Sequence, residues 1–407
     1  MLGRDPAAAV QRAILREYLH SGRTSARLFD LGAALIFWPW RSFAQAWRLT
    51  GQVGGSMIAV RSRSAQFLQQ IYLAWFHGIS PSMYYEMGLA ATLEKHSPMA
   101  WLQAGHAGLL SRVFRTDKQL VEINDKKLFN ELLATNGLPV APAVGVVGPR
   151  ILQDQSARES ILERLAGERE IFVKPVRGSG GKGSRALVRT DSRKWLGQAS
   201  IAVGPRPIVT FSDNQLVQLL AKNSGLYGWL IQRRLKNHPI IEELCGPGLA
   251  CLRVVSGLGG DEVTVLRSVM CFPLPGRIIS QHGMTAAIER STGRLGKLFK
   301  SSPDQQMYSH NPANGVKVED VLLPFWDEAM FAVKRAHRVL DSYAFLGWDV
   351  AICPEGPVIL EANGNYGTGA MQKPGSRPLI DEQFLAVFEY WEERKRAAGL
   401  TGERDNG

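Results

Sequence analysis

The residues best suited to chemistry fall in two places, a glycine run and a pair of late carboxylates. Gly178-Ser179-Gly180-Gly181-Lys182-Gly183-Ser184 places four glycines among seven residues. Glycine lets a backbone curl so that its N–H groups surround phosphate oxygens, and Lys182 in the run and Lys174 ahead of it can offset the phosphate charge. The run satisfies the letter of GxGxxG, but a dinucleotide site needs the last glycine to open a helix, whereas residues 184–190 read as a strand. It is not a P-loop either, since no Gly-Lys pair is followed by Ser or Thr. A strand on each side of a pliable turn describes a hairpin lid over phosphates. A mobile surface loop has the same composition, so other residues must decide.

Asp349 and Glu361 lie in GWDVAIC and PVILEAN, segments joined by Pro-Glu-Gly that read as a hairpin. Side chains two apart on a strand share a face, so Glu361 and Asn363 point the same way, and pairing of the strands can bring Asp349 beside them. Two carboxylates and an amide oxygen suit Mg²⁺, which in nucleotide sites completes its shell with phosphate and water oxygens. Solvated polar residues at strand ends have the same composition. The apolar neighbours Val350, Ile352, Ile359 and Leu360 argue for a buried hairpin, where an unpaired carboxylate is costly.

A mixed framework has to hold these groups. Asn124 or Asp125 can cap a helix whose apolar face is Leu128, Phe129, Leu132 and Leu133, and Gly137 with Pro139 stops it. Strands are expected at 171–174, 186–189, 229–235, 252–256 and 263–270, and a helix at 325–340 with Ala329, Ala332, Val333 and Ala336 on one face. Residues 1 to about 115 read as helical, punctuated by Gly78, Pro81 and Pro98, with no chemistry of their own. The end, residues 393–407, reads as a fraying tail.

Charge is concentrated early: residues 1–120 hold 13 basic and 6 acidic side chains, so +7 of the net +11 resides there. No acid occurs between Asp30 and Glu86, while Arg41, Arg48, Arg61 and Arg63 lie among Trp38, Trp40, Trp47 and Trp75. Two readings stay open for residues 31–75: a helical subdomain whose arginines face water, or a peripheral contact with anionic lipid headgroups. Nucleic acid is disfavoured, because no recognition module or Lys-rich run accompanies the charge. The longest apolar stretch, at 31–40, is too short to span a bilayer and contains Gly32 and Pro39. The first residues lack the apolar core of a secretory signal. Cys245, Cys251, Cys271 and Cys353 form no CxxC pair and no metal spacing, which fits a reducing cytoplasm. A cytoplasmic protein, with or without attachment to the inner face of the membrane, is the expectation.

Four signatures occur in the order found in the ATP-grasp superfamily, which the chain resembles. They are Asp125-Lys126 opening a helix that ends Gly137-Leu138-Pro139, Phe172-Val173-Lys174-Pro175, Gln232-Arg233-Arg234-Leu235, and Asp349 with Glu361-Ala362-Asn363. HGISPSMYY at 77–85, LRVVSG at 252–257, STGRLGK at 291–297 and GWDVAI at 347–352 resemble its sugar-transfer-associated family, also labelled alpha-L-glutamate ligase-related. The resemblance implies an α+β ATP-grasp fold, two α+β subdomains clasping ATP, preceded by a mainly helical N-terminal region. The corresponding division is 1–115 helical, 116–385 ATP-grasp domain and 386–407 C-terminal helix end and tail.

By the same resemblance Lys126 and Lys174 match the phosphate-binding lysines, and Gly178, Ser179, Gly180, Gly181, Lys182 and Gly183 the lid over ATP. Gln232, Arg233, Arg234 and Leu235 match the adenine hinge, although many relatives carry Glu where Gln232 stands. Asp349, Glu361 and Asn363 match the magnesium ligands, and Arg253 the arginine that steadies the transferring phosphoryl group. The implied activity is an ADP-forming ligase that activates a small carboxylate as an acyl phosphate and joins it to an amine or sugar-linked acceptor, in polysaccharide or glycoconjugate modification. A sugar kinase on the same fold, and a non-catalytic nucleotide-binding partner of a membrane glycosyltransferase complex, are the alternatives.

Overall fold

The structure is a computed structural model and describes the chain apart from residues 1–4, 21–23, 54–61, 90–94, 115–122, 179, 182, 191–193, 200–209, 282, 301–305, 376 and 400–407. The N-terminal region contains α1 (Ala7–His20), α2 (Thr24–Val53), α3 (Arg63–His77), α4 (Pro81–Glu86) and α5 (His106–Val113). Local chemistry sets their ends. Ser62 caps α3 by accepting from the Ala65 N–H, and Gly78 closes it in the left-handed conformation at φ 64°, which costs glycine least. Pro81 opens α4, where its missing N–H is no loss.

Two sheets follow. The first is built from α6 (Lys126–Thr135), β1 (Ala143–Val147), α7 (Gln155–Ala166), β2 (Glu170–Pro175), β3 (Arg185–Arg189), β4 (Trp195–Ala199), β5 (Thr210–Phe211), α8 (Asp213–Lys222) and β6 (Trp229–Arg233). Its strand order is β1-β6-β2-β3-β4-β5. Ile161 and Leu165 of α7 and Leu216 and Leu220 of α8 bury one face with Ile171, Val173 and Ile231.

The second follows α9 (Pro239–Cys245) and contains β7 (Cys251–Gly259), β8 (Glu262–Phe272), β9 (Met284–Ile288), β10 (Leu295–Phe299) and β11 (Met307–Tyr308), then α10 (Trp326–Val339), β12 (Phe345–Cys353) and β13 (Gly356–Asn363). The order is β11-β10-β9-β8-β7-β12-β13. The expected helix at 325–340 is α10, and its Ala329, Val333 and Ala336 pack on Leu252, Val254 and Val350. The opposite face carries Val255, Val269 and Phe345, covered by α1, α5 and α12 (Glu382–Ala397), after the short α11 (Thr368–Gln372). Phe384 of α12 stacks on Phe345 with centroids 4.4 Å apart.

One expectation needs correcting. Residues 393–397 are the last turns of α12, not a tail, because Trp391 is buried and Lys395 donates to the Val113 carbonyl at 3.1 Å. Tertiary contacts, which local composition does not reveal, extend the helix.

Candidate active site

The two sheets face each other across a cavity of about 290 Å³. On the first wall Phe172 of β2 stands opposite both Ala186 of β3 and Gln232 of β6, and all three line the cavity. Lys174, two residues further along β2, shares their face and is 8% exposed. The expected hairpin lid is the β2–β3 turn. Gly178, Gly180 and Gly181 line the cavity at φ 127°, 69° and 62°, a region L side chains rarely adopt. A Cβ on Gly181 would stand 2.6 Å from Ile279 Cδ1. Gly183 is not part of the lining and lies behind it, against Trp229. Ser179 and Lys182 fall outside the described residues.

Lys126 opens α6 beneath this turn. Its N–H donates to the Val176 carbonyl at 3.0 Å and its ammonium to the Gly178 carbonyl at 2.5 Å. Asp125 caps the helix, accepting from the N–H groups of Lys127 and Leu128, and pairs with Arg177 at 3.4 Å. Gln232, Arg233, Arg234 and Leu235 reach the cavity from the end of β6. The Gln232 amide donates to the Ala141 carbonyl at 3.2 Å. Glu168 engages Arg233 at 2.8 Å, and Glu170 is shared between Arg234 at 3.4 Å and Lys236 at 2.7 Å, so this end of the cavity keeps a net positive charge.

The second wall is a row across three adjacent strands. Arg253 of β7 stands opposite Asp349 of β12, which stands opposite Glu361 of β13. Arg253 Nε lies 3.0 Å from Asp349 Oδ1, and the Asn363 amide donates to Glu361 Oε1 at 3.3 Å. Asp349 pairs with Glu361 but Val350 with Ile359, so Leu360 is a bulge. The bulge turns Leu360 toward the cavity beside Glu361, where strict alternation predicts a purely structural position.

Charge ties the walls together. Burial brings Lys174 down to about 8, with Glu361 of the opposite sheet opposing that shift. Burial also lowers Lys126, against the pull of Glu361 and Asp125. For Glu361 burial favours the neutral acid, but Lys174 and Lys126 outweigh it and hold the carboxyl below its ordinary range. Asp349 moves up, mainly through burial and then through the charge of Glu361, with Arg253 opposing. Arg253 is held firmly protonated by Asp349.

Among the described residues no three His, Cys, Asp or Glu side chains cluster as a metal cage. Two carboxylates with one amide, in a cavity with room for further oxygens, nevertheless fit Mg²⁺, which keeps several water and phosphate ligands. Sequence reasoning missed Gln281 and Ile279, which approach the lid from the chain after β8, and Asn365 and Tyr366 beyond β13. Continuing the alternation Glu361, Asn363, Asn365 points to the third of these; nothing local signals the other three.

The N-terminal helices also reach this site. Gly108 of α5 lies so close that an added Cβ would meet the Asn365 side chain at 3.0 Å. Gln372 accepts from the Leu102 N–H at 3.0 Å and donates to its carbonyl at 2.8 Å. The N-terminal region thus backs the loop that closes one end of the cavity.

Residues 109–384 match the family described as sugar-transfer associated ATP-grasp. Among solved structures, D-cycloserine synthetase DcsG is similar at 14% identity and TM-score 0.38, over 77% of this chain and 82% of that one. The D-alanine-D-alanine ligase from Coxiella burnetii is similar at 12% identity and TM-score 0.42, over 72% and 67%. VanG D-Ala:D-Ser ligase from Enterococcus faecalis shows 13% and 0.41, over 70% and 68%. No curated protein sequence matches the chain.

Proposed function

Because the chain belongs to the sugar-transfer-associated ATP-grasp family, we propose that it is an ATP- and Mg²⁺-dependent ligase joining a small carboxylate to an amine or sugar-linked nucleophile through an acyl phosphate. One observation carries this reading: Lys126 and Lys174 from one wall and Asp349, Glu361 and Asn363 from the other converge on a single cavity beneath a glycine hairpin. In this assignment residues 116–385 form the catalytic unit and 1–115 a helical attachment.

The substrate carboxylate attacks the γ-phosphorus of ATP and ADP leaves; the nucleophile then attacks the acyl carbon and phosphate leaves. Mg²⁺ on Asp349, Glu361 and Asn363 would offset charge on the β- and γ-phosphates. Lys174 and Lys126 bind phosphate oxygens, and the N–H groups of Gly178, Gly180 and Gly181 close over them. Gln232 and Leu235 meet the adenine. Arg253, fixed by Asp349, places permanent positive charge where the transferring phosphoryl group gathers negative charge. Arg233 is paired with Glu168, while Arg234 shares Glu170 with Lys236 and so leaves positive charge beside the nucleotide.

The purified protein should release ADP and phosphate together, in equal amounts, when given Mg-ATP with candidate amino acids and amino sugars, and the product should gain the mass of an amide. A phosphorylated acceptor with no free phosphate would replace the ligase by a kinase, and Mg-independent turnover would remove the metal assignment.

A pH dependence follows from Lys174. Phosphate favours its charged form, while in the free protein the ammonium is lost above about 8. ATP binding then takes up a proton at alkaline pH, and affinity should fall about tenfold from pH 7 to pH 9. Lys174→Arg should flatten that profile. Isothermal titration with a non-hydrolysable ATP analogue in buffers of differing ionisation enthalpy measures both the affinity and the proton uptake; pH-independent affinity in the unmodified protein would contradict the assignment of Lys174.

A further inference from the structure

The outer face of α2 and α3 is apolar, aromatic and uncovered. On α2, Ile36, Trp40, Phe43 and Trp47 recur at helical spacing and stand 69%, 76%, 41% and 69% exposed. On α3, Leu68, Tyr72 and Phe76 do the same at 66%, 50% and 67%. Phe67 joins the two stripes, with its ring centroid 5.3 Å from Phe43 and 6.0 Å from Trp47. The inner side is already occupied: Gln70 is fully buried and donates to Thr50 at 2.8 Å and to the Tyr85 hydroxyl at 3.1 Å, while Ala46 and Leu73 have no exposure. The outer stripes are therefore not a core face that happens to be open. A contiguous apolar face of this kind on a soluble domain marks an interaction surface.

Charge selects the partner. From residue 31 to residue 85 there is no Asp or Glu. Arg41 and Arg48 are exposed, each following one of the two outward tryptophans, so both lie about 100° around the helix along the same edge of the stripe. We propose that this face docks on the surface of an anionic phospholipid bilayer. Indole and phenol rings settle at the level of the headgroups, and the arginines at the edge reach lipid phosphates while their stems cover apolar surface. A second copy on this face would offer these arginines no counter-charge, because residues 31–85 of that copy contain no acid either. Among the described residues no helix is long and apolar enough to cross a membrane, so the contact is parallel to the surface. This proposal is independent of the catalytic reading, because none of these side chains lines the cavity.

Flotation of the full chain with vesicles tests it. The chain should rise with equimolar phosphatidylglycerol and phosphatidylcholine, and bind pure phosphatidylcholine at least about tenfold more weakly. Trp40→Glu with Trp47→Glu should abolish flotation while leaving the circular dichroism spectrum unchanged. Arg41→Gln and Arg48→Gln should each weaken it about fivefold. Tryptophan emission of the unmodified chain should shift to the blue on anionic vesicles, a reading that needs no variant to fold. Absence of flotation and of the spectral shift would overturn the proposal. So would sedimentation showing a dimer that the two tryptophan substitutions disperse, which would assign the face to a second copy.

Discussion

Glu361→Ala should lower ADP release at saturating substrates by at least about a thousandfold, the equivalent of roughly 4 kcal/mol of transition-state stabilisation. Two losses coincide. The first is the proposed metal ligand, which Asn363 and Asp349 cannot replace. The second is the negative charge that opposes the deprotonation of Lys174 and Lys126. Without it Lys174 sheds its proton at still lower pH, and the proposed phosphate contact weakens at neutrality. Glu361→Gln keeps the shape and the hydrogen bond from Asn363 but not the charge, so it should fall nearly as far.

The fold should survive with a modest cost. The folded-state pKa of Glu361 is depressed, so its contribution to stability is present above the ordinary carboxylate range and disappears as pH falls through the lower, folded value. Melting curves of the unmodified chain and Glu361→Ala should therefore differ at pH 7 and converge in acid. Retention of more than a tenth of the turnover would remove Glu361 from the site.

How much of this was legible beforehand depended on the range of the contacts involved. The β12–β13 hairpin could be read because alternation, a Pro-Glu-Gly turn and flanking Val, Ile and Leu all act within 15 residues, but regular pairing from the turn would set Asp349 opposite Leu360, and only the bulge brings it opposite Glu361. The helix at Asp125 was readable because its cap and its stop are both local. The glycine hairpin was readable as two strands around a turn, but Gly183 has the same composition as its neighbours and only packing against Trp229 shows that it faces away. Leu360 looks like an ordinary core neighbour in the sequence, since a bulge leaves no trace in a binary pattern. Gln281 and Ile279 meet the lid only because β8 and β9 lie in the other sheet. The contact of Gly108 with Asn365 spans most of the chain, and no periodicity in residues 1–115 announces it.

Arg253→Met tests whether the second wall acts through charge or through shape. Methionine fills comparable apolar volume, so a fall of about a hundred- to a thousandfold in the rate of the chemical step, with ATP affinity nearly unchanged, is what a transition-state contact predicts. The substitution also strands Asp349, whose pKa is already raised by burial and by Glu361. Breaking a fully buried pair costs about 3–5 kcal/mol. A third of the Arg253 side chain meets solvent, so a loss nearer 2 kcal/mol is expected in metal-free buffer. The sign of the pH effect separates this from a packing defect. Asp349 binds its proton more tightly folded than unfolded, so the penalty is absent while the acid is neutral and grows as pH rises through the folded pKa. The melting temperature of Arg253→Met should thus approach that of the unmodified chain near pH 5 and fall away from it at pH 8, and Mg²⁺ should restore part of the difference. A deficit equal at both pH values would mean that Arg253 supports the strand by volume alone. Arg253→Lys should recover stability but little of the rate, because an ammonium neutralises Asp349 without reproducing the planar fork that a phosphoryl group requires.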